Sequence, residues 1–444
     1  MCGDWVSCGK IFAGDSPYTA LRSFAMTGRR HASRVPETGG RIRLQICGIE
    51  TIRVEEHPNC LWVRVHTDEG VVGLGETFFG AKAVEAYIHE TAAQILLEED
   101  PGRIDYLGCR LAGYLGFAST GVEMRGNSAL DIALWDILGK VCNQPVAQLL
   151  GGFTRPNIRT YNTCAGTTYM RETGGQRVAN YGLDAGGRRY ADLEAFLTDA
   201  GALAEELLSE GIDAMKIWPF DLAAEKTGGR YISSDDLKSA LQPFEKIRAR
   251  VGDRMDIMVE FHSMWKLEPA IRIARALEPF DTYWHEDPIK MTSLQALRRY
   301  AEASPAPVCA SETLATKEAF RDLLEAEAAG IIMLDLSWCG GLSEARKIAA
   351  MAEARHLCIA PHDCTGPVVL AASTHLSLSA PNALVQESVR AYYRTWYPEI
   401  VTQLPTVETG AITVPPGAGL GVELSPEIEK RFTVHRMVSG TVVS

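Results

Sequence analysis

Asp256-Ile257-Met258-Val259-Glu260-Phe261-His262 is a short apolar run that ends in charge, and the pattern returns downstream. Thr282 to Glu286, Val308 to Ser311 with Glu312 next, Ile331 to Asp335, Cys358 to His362 and Leu384 to Glu387 each repeat it. Upstream, Ile158 to Cys164 and Ala214 to Trp218 are two more such runs, the second carrying Lys216. Helical stretches separate them. Eight strands alternating with helices over residues 158–404 predict an α/β fold of the (β/α) barrel type. From Glu260 onward the charged ends lie 23 to 27 residues apart, one β/α unit each time. The C-terminal rim of a barrel is where its chemistry gathers. Lys216, Glu260, Glu286, Glu312, Asp335, His362 and Glu387 are therefore expected at one mouth.

A single Glu after a strand is ordinarily a helix N-cap or a solvated rim charge. A register of them differs, because carboxylates from successive strands repel one another unless a cation sits between them. Carboxylate oxygens with waters are what Mg²⁺ selects.

Before the barrel the period changes. Leu44 to Val54, Leu61 to Thr67 and Val71 to Glu76 are β-rich runs separated by turn-forming residues, which predicts a three-stranded antiparallel meander. Helical periodicity follows from about residue 82 and is strongest from Ser128 to Leu150, where Gly151-Gly152 stops it. Residues 42–157 thus read as an α+β domain, and the turn-rich tail 405–444 as a return to it. Gly73 and Gly75 are no phosphate loop, since the third glycine and the helix N-terminus of that fingerprint are missing. Gly174 to Gly187 and Asp221 to Ser234 read as loops over the barrel mouth. Residues 1–41 read as a poorly ordered extension. Arg29, Arg30 and Arg34 lend it a transit-peptide look, against which Asp4, Asp15 and Glu37 count.

The composition narrows the partners. In 444 residues, 44 Lys and Arg stand against 56 Asp and Glu, and this acidic balance argues against nucleic acid. No run approaches the roughly 18 apolar residues of a membrane span. The 11 cysteines include no CxxC pair, which suits a reducing, cytoplasmic compartment better than a disulfide framework.

Gly126-Asn127-Ser128-Ala129-Leu130-Asp131-Ile132-Ala133-Leu134-Trp135-Asp136-Ile137-Leu138-Gly139-Lys140, with Pro145 to Gly151, resembles the signature of the mandelate racemase/muconate lactonizing group of the enolase superfamily. Glu286-Asp287-Pro288, Ser311-Glu312-Thr313 and Pro416 to Val422 continue the likeness, which covers residues 42 to about 430. It implies an α+β capping domain completed by the tail, a modified (β/α)7β TIM-like barrel, and Mg²⁺ held by Glu260, Glu286 and Glu312. It also implies a base, His362, oriented by Asp335, with Glu387 and Lys216 near the substrate carboxylate, and self-association into a homo-oligomer.

Two positions depart from the family pattern. Glu260 replaces the usual Asp as first metal ligand, and Trp218 replaces the second lysine, removing the base that two-base racemases use. Glu260-Phe261-His262 resembles the Asp-x-His of galactonate-dehydratase-like acid-sugar dehydratases, in which that His is the general acid. Period-two alternation puts His262 on the face of Glu260. The expected activity is a lyase that takes the α-proton of a sugar acid and expels its β-hydroxyl, leaving a 2-keto-3-deoxy acid. A one-base epimerase acting on another carboxylate or an amino-acid derivative, and an inactive metal-binding barrel, are the alternatives. Thr77-Phe78-Phe79-Gly80 and Glu55 to Asn59 are the segments expected to fold over the mouth, although Phe78 and Phe79 suit an interdomain core equally well.

Overall fold

The computed structural model describes residues 44–113, 116, 119–183 and 189–442. The extension read at residues 1–41, and part of the Gly174 to Gly187 loop, lie outside them. Three strands open the described residues, β1 (Ile46–Val54), β2 (Cys60–Thr67) and β3 (Val72–Phe78), paired antiparallel as expected. Eight further strands form the barrel wall: β4 (Ile158–Thr163), β5 (Ala214–Ile217), β6 (Asp256–Glu260), β7 (Trp284–Glu286), β8 (Val308–Ala310), β9 (Ile331–Ile332), β10 (Cys358–Ile359) and β11 (Gln386–Ser388). β4 to β10 pair in parallel in chain order. The wall continues through the parallel bridge Ile359–Ala383 into β11, which pairs with β4. Tyr161, Met258, Trp284, Cys309, Met333 and Val385 fill its interior, the packed core of bulky side chains that such a barrel requires.

Most of these strands are shorter than the sequence runs. β9 and β10 keep two residues each, and beyond them Asp335 and His362 pair as an isolated bridge. Single backbone hydrogen bonds continue the pairing toward the mouth, as from the His362 amide to the Leu334 carbonyl at 2.9 Å.

The tail assigned to the cap divides between the two sheets. β12 (Thr406–Glu408) and β13 (Ala411–Thr413) form a hairpin that pairs with β4, whereas β14 (Val434–Gly440) adds to the outer edge of β1.

The segment from Gly126 to Lys140 lies within one helix, Val122–Cys142, which is buried on nearly every side, as a helix apolar around most of its circumference must be. Gly73 and Gly75 let it lie directly on β3: a Cβ at these positions would come within 2.0 and 1.9 Å of the Ala133 and Ala129 carbonyl oxygens. Its buried acids bind neighbouring segments. Asp131 accepts from the Ser343 amide at 3.0 Å on a barrel helix. Asp136 accepts from Leu74 on β3 at 2.9 Å and from Leu420 in the tail at 2.8 Å. The conspicuous motif is therefore the joint between cap, barrel and tail. Among the described residues no helix is long and apolar enough to cross a membrane.

Candidate active site

Parallel strands in register present their C-terminal ends together, and the seven rim residues meet as expected. All are buried. The Lys216 ammonium lies 2.6 Å from Glu286 Oε1, 2.8 Å from Glu387 Oε1 and 3.7 Å from Glu260 Oε2. Glu387 accepts in addition from the Asp363 amide at 2.8 Å and from the Thr163 hydroxyl. Glu286 accepts from the Trp284 indole at 3.0 Å. On the other side His362 Nδ1 is 2.7 Å from Asp335 Oδ2, and its Nε2 is 2.7 Å from Glu312 Oε2. Asp335 is itself fixed through Oδ1, which accepts from the Ser337 amide at 2.7 Å.

One oxygen from each of Glu260, Glu286 and Glu312 lies within 4.8 Å of the others. Glu312, Glu387 and Glu260 differ in how their charge is balanced. Burial would raise Glu312, but the positive charge and hydrogen bond of His362 outweigh it and hold the acid down to about 2. Glu387 is lowered despite burial by Lys216 and His362. Glu260 goes the other way, well above the carboxylate range, because burial and the neighbouring Glu286 both oppose its charge. Such an acid takes up a proton or a cation. Three buried anionic oxygens with one charge uncompensated fit a hard divalent ion, so the triad could hold one. His362 rises well above its usual value, because Glu312, Glu387 and Asp335 overcome the opposing effect of burial.

His262 reaches the site by a different route from the one its spacing predicts. β6 ends at Glu260, and His262 follows in the left-handed region at φ 48°. Its amide donates to the Glu260 carboxylate, which turns the imidazole into the pocket without a second strand pair. The ring nitrogen Nδ1 lies 2.6 Å from Asp221 Oδ2, and that oxygen also accepts from the Tyr181 hydroxyl at 2.6 Å. Asp221 was not among the rim residues. It opens the helix Asp221–Thr227, inside a stretch read from sequence as loop, and its place after a barrel strand was the one available signal.

The pocket is lined by His262, His362 and Lys216 and by a set of aromatic rings. Trp218 is one of them: its ring meets His262 edge-on at 5.6 Å, so the position of the missing lysine is an apolar wall. Phe78 and Phe79 come from the end of β3 and line the pocket, with Phe79 stacked on Trp338 at 5.8 Å and Trp338 on His362 at 5.5 Å. Asn59, in the other covering segment, donates to the carbonyls of Met170 and Glu172 on the loop after β4, at 2.8 and 3.0 Å.

Fold and site together define a capped barrel with an acidic mouth whose triad could hold a cation, and comparison with known families agrees. Residues 51–151 match the mandelate racemase/muconate lactonizing enzyme N-terminal domain and residues 199–428 the enolase C-terminal domain-like family. The chain belongs to this mandelate racemase/muconate lactonizing group of the enolase superfamily. A D-galactonate dehydratase from Ralstonia nicotianae is 31% identical over 388 residues, 86% of this chain and 92% of its own length. A D-xylonate dehydratase from Haloferax volcanii is 28% identical over 393 residues, 87% and 88% of the two chains. The crystal structure of an enolase of the mandelate racemase subgroup from Agrobacterium tumefaciens is 62% identical, with a TM-score of 0.79 over 89% of this chain and 99% of that one.

Proposed function

We propose that the protein is an acid-sugar dehydratase that converts a sugar acid to its 2-keto-3-deoxy acid. The observation that carries this reading is the pairing of two imidazoles with two carboxylates in one pocket, His362 with Asp335 and His262 with Asp221. The dehydratases among its relatives support the substrate class.

Removing a proton beside a carboxylate builds a second negative charge, and the reaction needs that charge stabilised as it forms. A divalent cation, for which we propose Mg²⁺, would be held by Glu260, Glu286 and Glu312 and would supply Lewis-acid stabilisation of the substrate carboxylate. Lys216 adds fixed positive charge, and Glu387, tied by Thr163 and Asp363, holds Lys216 in place. Asp335 occupies Nδ1 of His362; Nε2, which faces Glu312 at 2.7 Å, is the nitrogen that would take the α-proton with Glu312 engaged by the cation instead. Asp221 occupies Nδ1 of His262 in the same way, and its Nε2 gives a proton to the departing β-hydroxide, which leaves as water. The enol then tautomerises to the keto acid. Phe78, Phe79, Trp218 and Trp338 keep bulk water from the intermediate. Trp218 supplies no second base, which disfavours two-base racemisation.

The test is a panel of sugar acids with Mg²⁺, scored by semicarbazide for 2-keto products, beside N-acyl amino acids and proline derivatives scored for epimerisation. Turnover confined to the second group overturns the dehydratase assignment. We further propose a cytoplasmic enzyme that self-associates, acting on a small carboxylate and on neither nucleic acid nor membrane.

A further inference from the structure

Glu76 lies on β3, in the cap, with no exposed surface. Its Oε2 accepts from the amides of Val368 and Val369, both at 2.8 Å. These belong to the first turn of the barrel helix Pro367–Ser379, where unpaired N–H groups face outward and an anion or acceptor is favoured. The helix is separated from His362 only by the loop Asp363 to Gly366. Gly366 is moulded to the carboxylate: a Cβ there would lie 2.1 Å from Glu76 Oε1.

The next two residues of β3 grip the other half of the base pair. The Thr77 hydroxyl donates to the Ser337 carbonyl at 2.9 Å, and the Trp338 indole donates to the Phe78 carbonyl at 3.0 Å. Ser337 is the residue whose amide and hydroxyl fix Asp335. Three consecutive cap residues thus hold the segment after Asp335 and the segment after His362, and Phe78 and Phe79 then continue into the pocket.

We propose that the end of β3 aligns the Asp335–His362 pair, with Glu76 as the positioning residue, so that seating the aromatic cover and orienting the base are one event. This rests on reading His362 as the base. Burial raises Glu76 to about 8 against the pull of its two amide donors. A neutral amide is therefore a close mimic of it, and its carbonyl can accept the same two N–H groups.

The experiment compares Glu76→Ala, Glu76→Gln and Gly366→Ala with the wild type, each loaded with Mg²⁺. Glu76→Ala is expected to lose about a hundred-fold in kcat and in exchange of the α-proton with D₂O, the cost of a misplacement near 1 Å. KM and Mg²⁺ affinity stay near the wild-type values, which a general loss of structure would not allow. Glu76→Gln recovers most of the rate. Gly366→Ala displaces the carboxylate from the opposite side, lowers kcat in the same way and supplies the test if Glu76→Ala does not fold. Crystal structures of the variants read the alignment without turnover: the 2.7 Å contact of His362 with Asp335 is lost in Glu76→Ala and kept in Glu76→Gln. A Glu76→Ala protein that keeps that contact and wild-type kcat overturns the proposal. A wild type that dehydrates and exchanges no sugar acid overturns the proposed function instead, and the contact distance alone then decides the role of Glu76.

Discussion

His262 and Asp221 stand 41 residues apart in the chain and 2.6 Å apart in the site, a second imidazole–carboxylate pair beside His362 and Asp335. If His362 removes the α-proton and His262 protonates the leaving group, the two half-reactions can be separated. His262→Asn is expected to abolish release of keto acid while still exchanging the α-proton with D₂O, followed by proton NMR. Dehydration at the wild-type rate would remove His262 from the mechanism.

In the proposed mechanism Asp221 acts through that imidazole, holding Nδ1 so that Nε2 is the nitrogen left to donate. Asp221→Asn should slow dehydration by about 10²-fold, at the low end of what a general acid contributes, and leave α-proton exchange nearly unchanged. An equal fall in both rates would mean that Asp221 supports the pocket as a whole.

The first pair has the opposite signature. His362→Asn and Asp335→Asn are expected to lower exchange and dehydration together, by about 10²- to 10⁴-fold. Exchange that survives His362→Asn would assign the base elsewhere.

The carboxylate triad predicts a metal-linked stability. Chelation with EDTA should inactivate the enzyme, and Mg²⁺ should restore it. Ion present at a hundred times its dissociation constant raises unfolding free energy by about 2.7 kcal/mol, visible as a higher melting temperature. Glu260→Gln removes the acid that most needs a counter-charge, so the thermal shift on adding Mg²⁺ should shrink; an unchanged shift would exclude Glu260 as a ligand.

Acid should loosen the seam between β1 and β14. Burial opposes the charge of Glu50, but His66 and Arg436 outweigh it and hold the acid down to about 2 from 4.5. A depressed carboxylate stabilises the fold fully above its unfolded value and loses that contribution as pH falls through the folded one. The melting temperature of Glu50→Gln should thus lie below the wild type at pH 5 to 7, with the gap closing between pH 4.5 and 2. A constant gap would show that the charge on Glu50 is immaterial.

Much of the architecture was legible because its signals are local. Strand alternation, helical period and a repeat near 25 residues are set by a few neighbouring residues each, and they located the meander and all eight barrel strands. The rim acids could be listed because a parallel barrel brings strand ends together whatever the intervening helices contain. His262 was found by a spacing argument whose premise, a strand continuing past Glu260, did not hold; the backbone turned at φ 48° and delivered the side chain to the same pocket. Asp221 escaped notice because a carboxylate opening a short helix has no marker apart from the ring it meets.

By itself the sequence determined the barrel, its cap and the charged groups at the mouth, since periodicity and strand-end placement follow from backbone geometry within each unit. Only the tertiary structure decided how those groups are divided and held: which carboxylate faces which imidazole, that β13 pairs with β4 while β14 pairs with β1, and that Glu76 caps a helix nearly 300 residues away. These contacts depend on the paths of loops and on packing between elements far apart in the chain, and a burial cost or hydrogen bond exists only once both partners are in place.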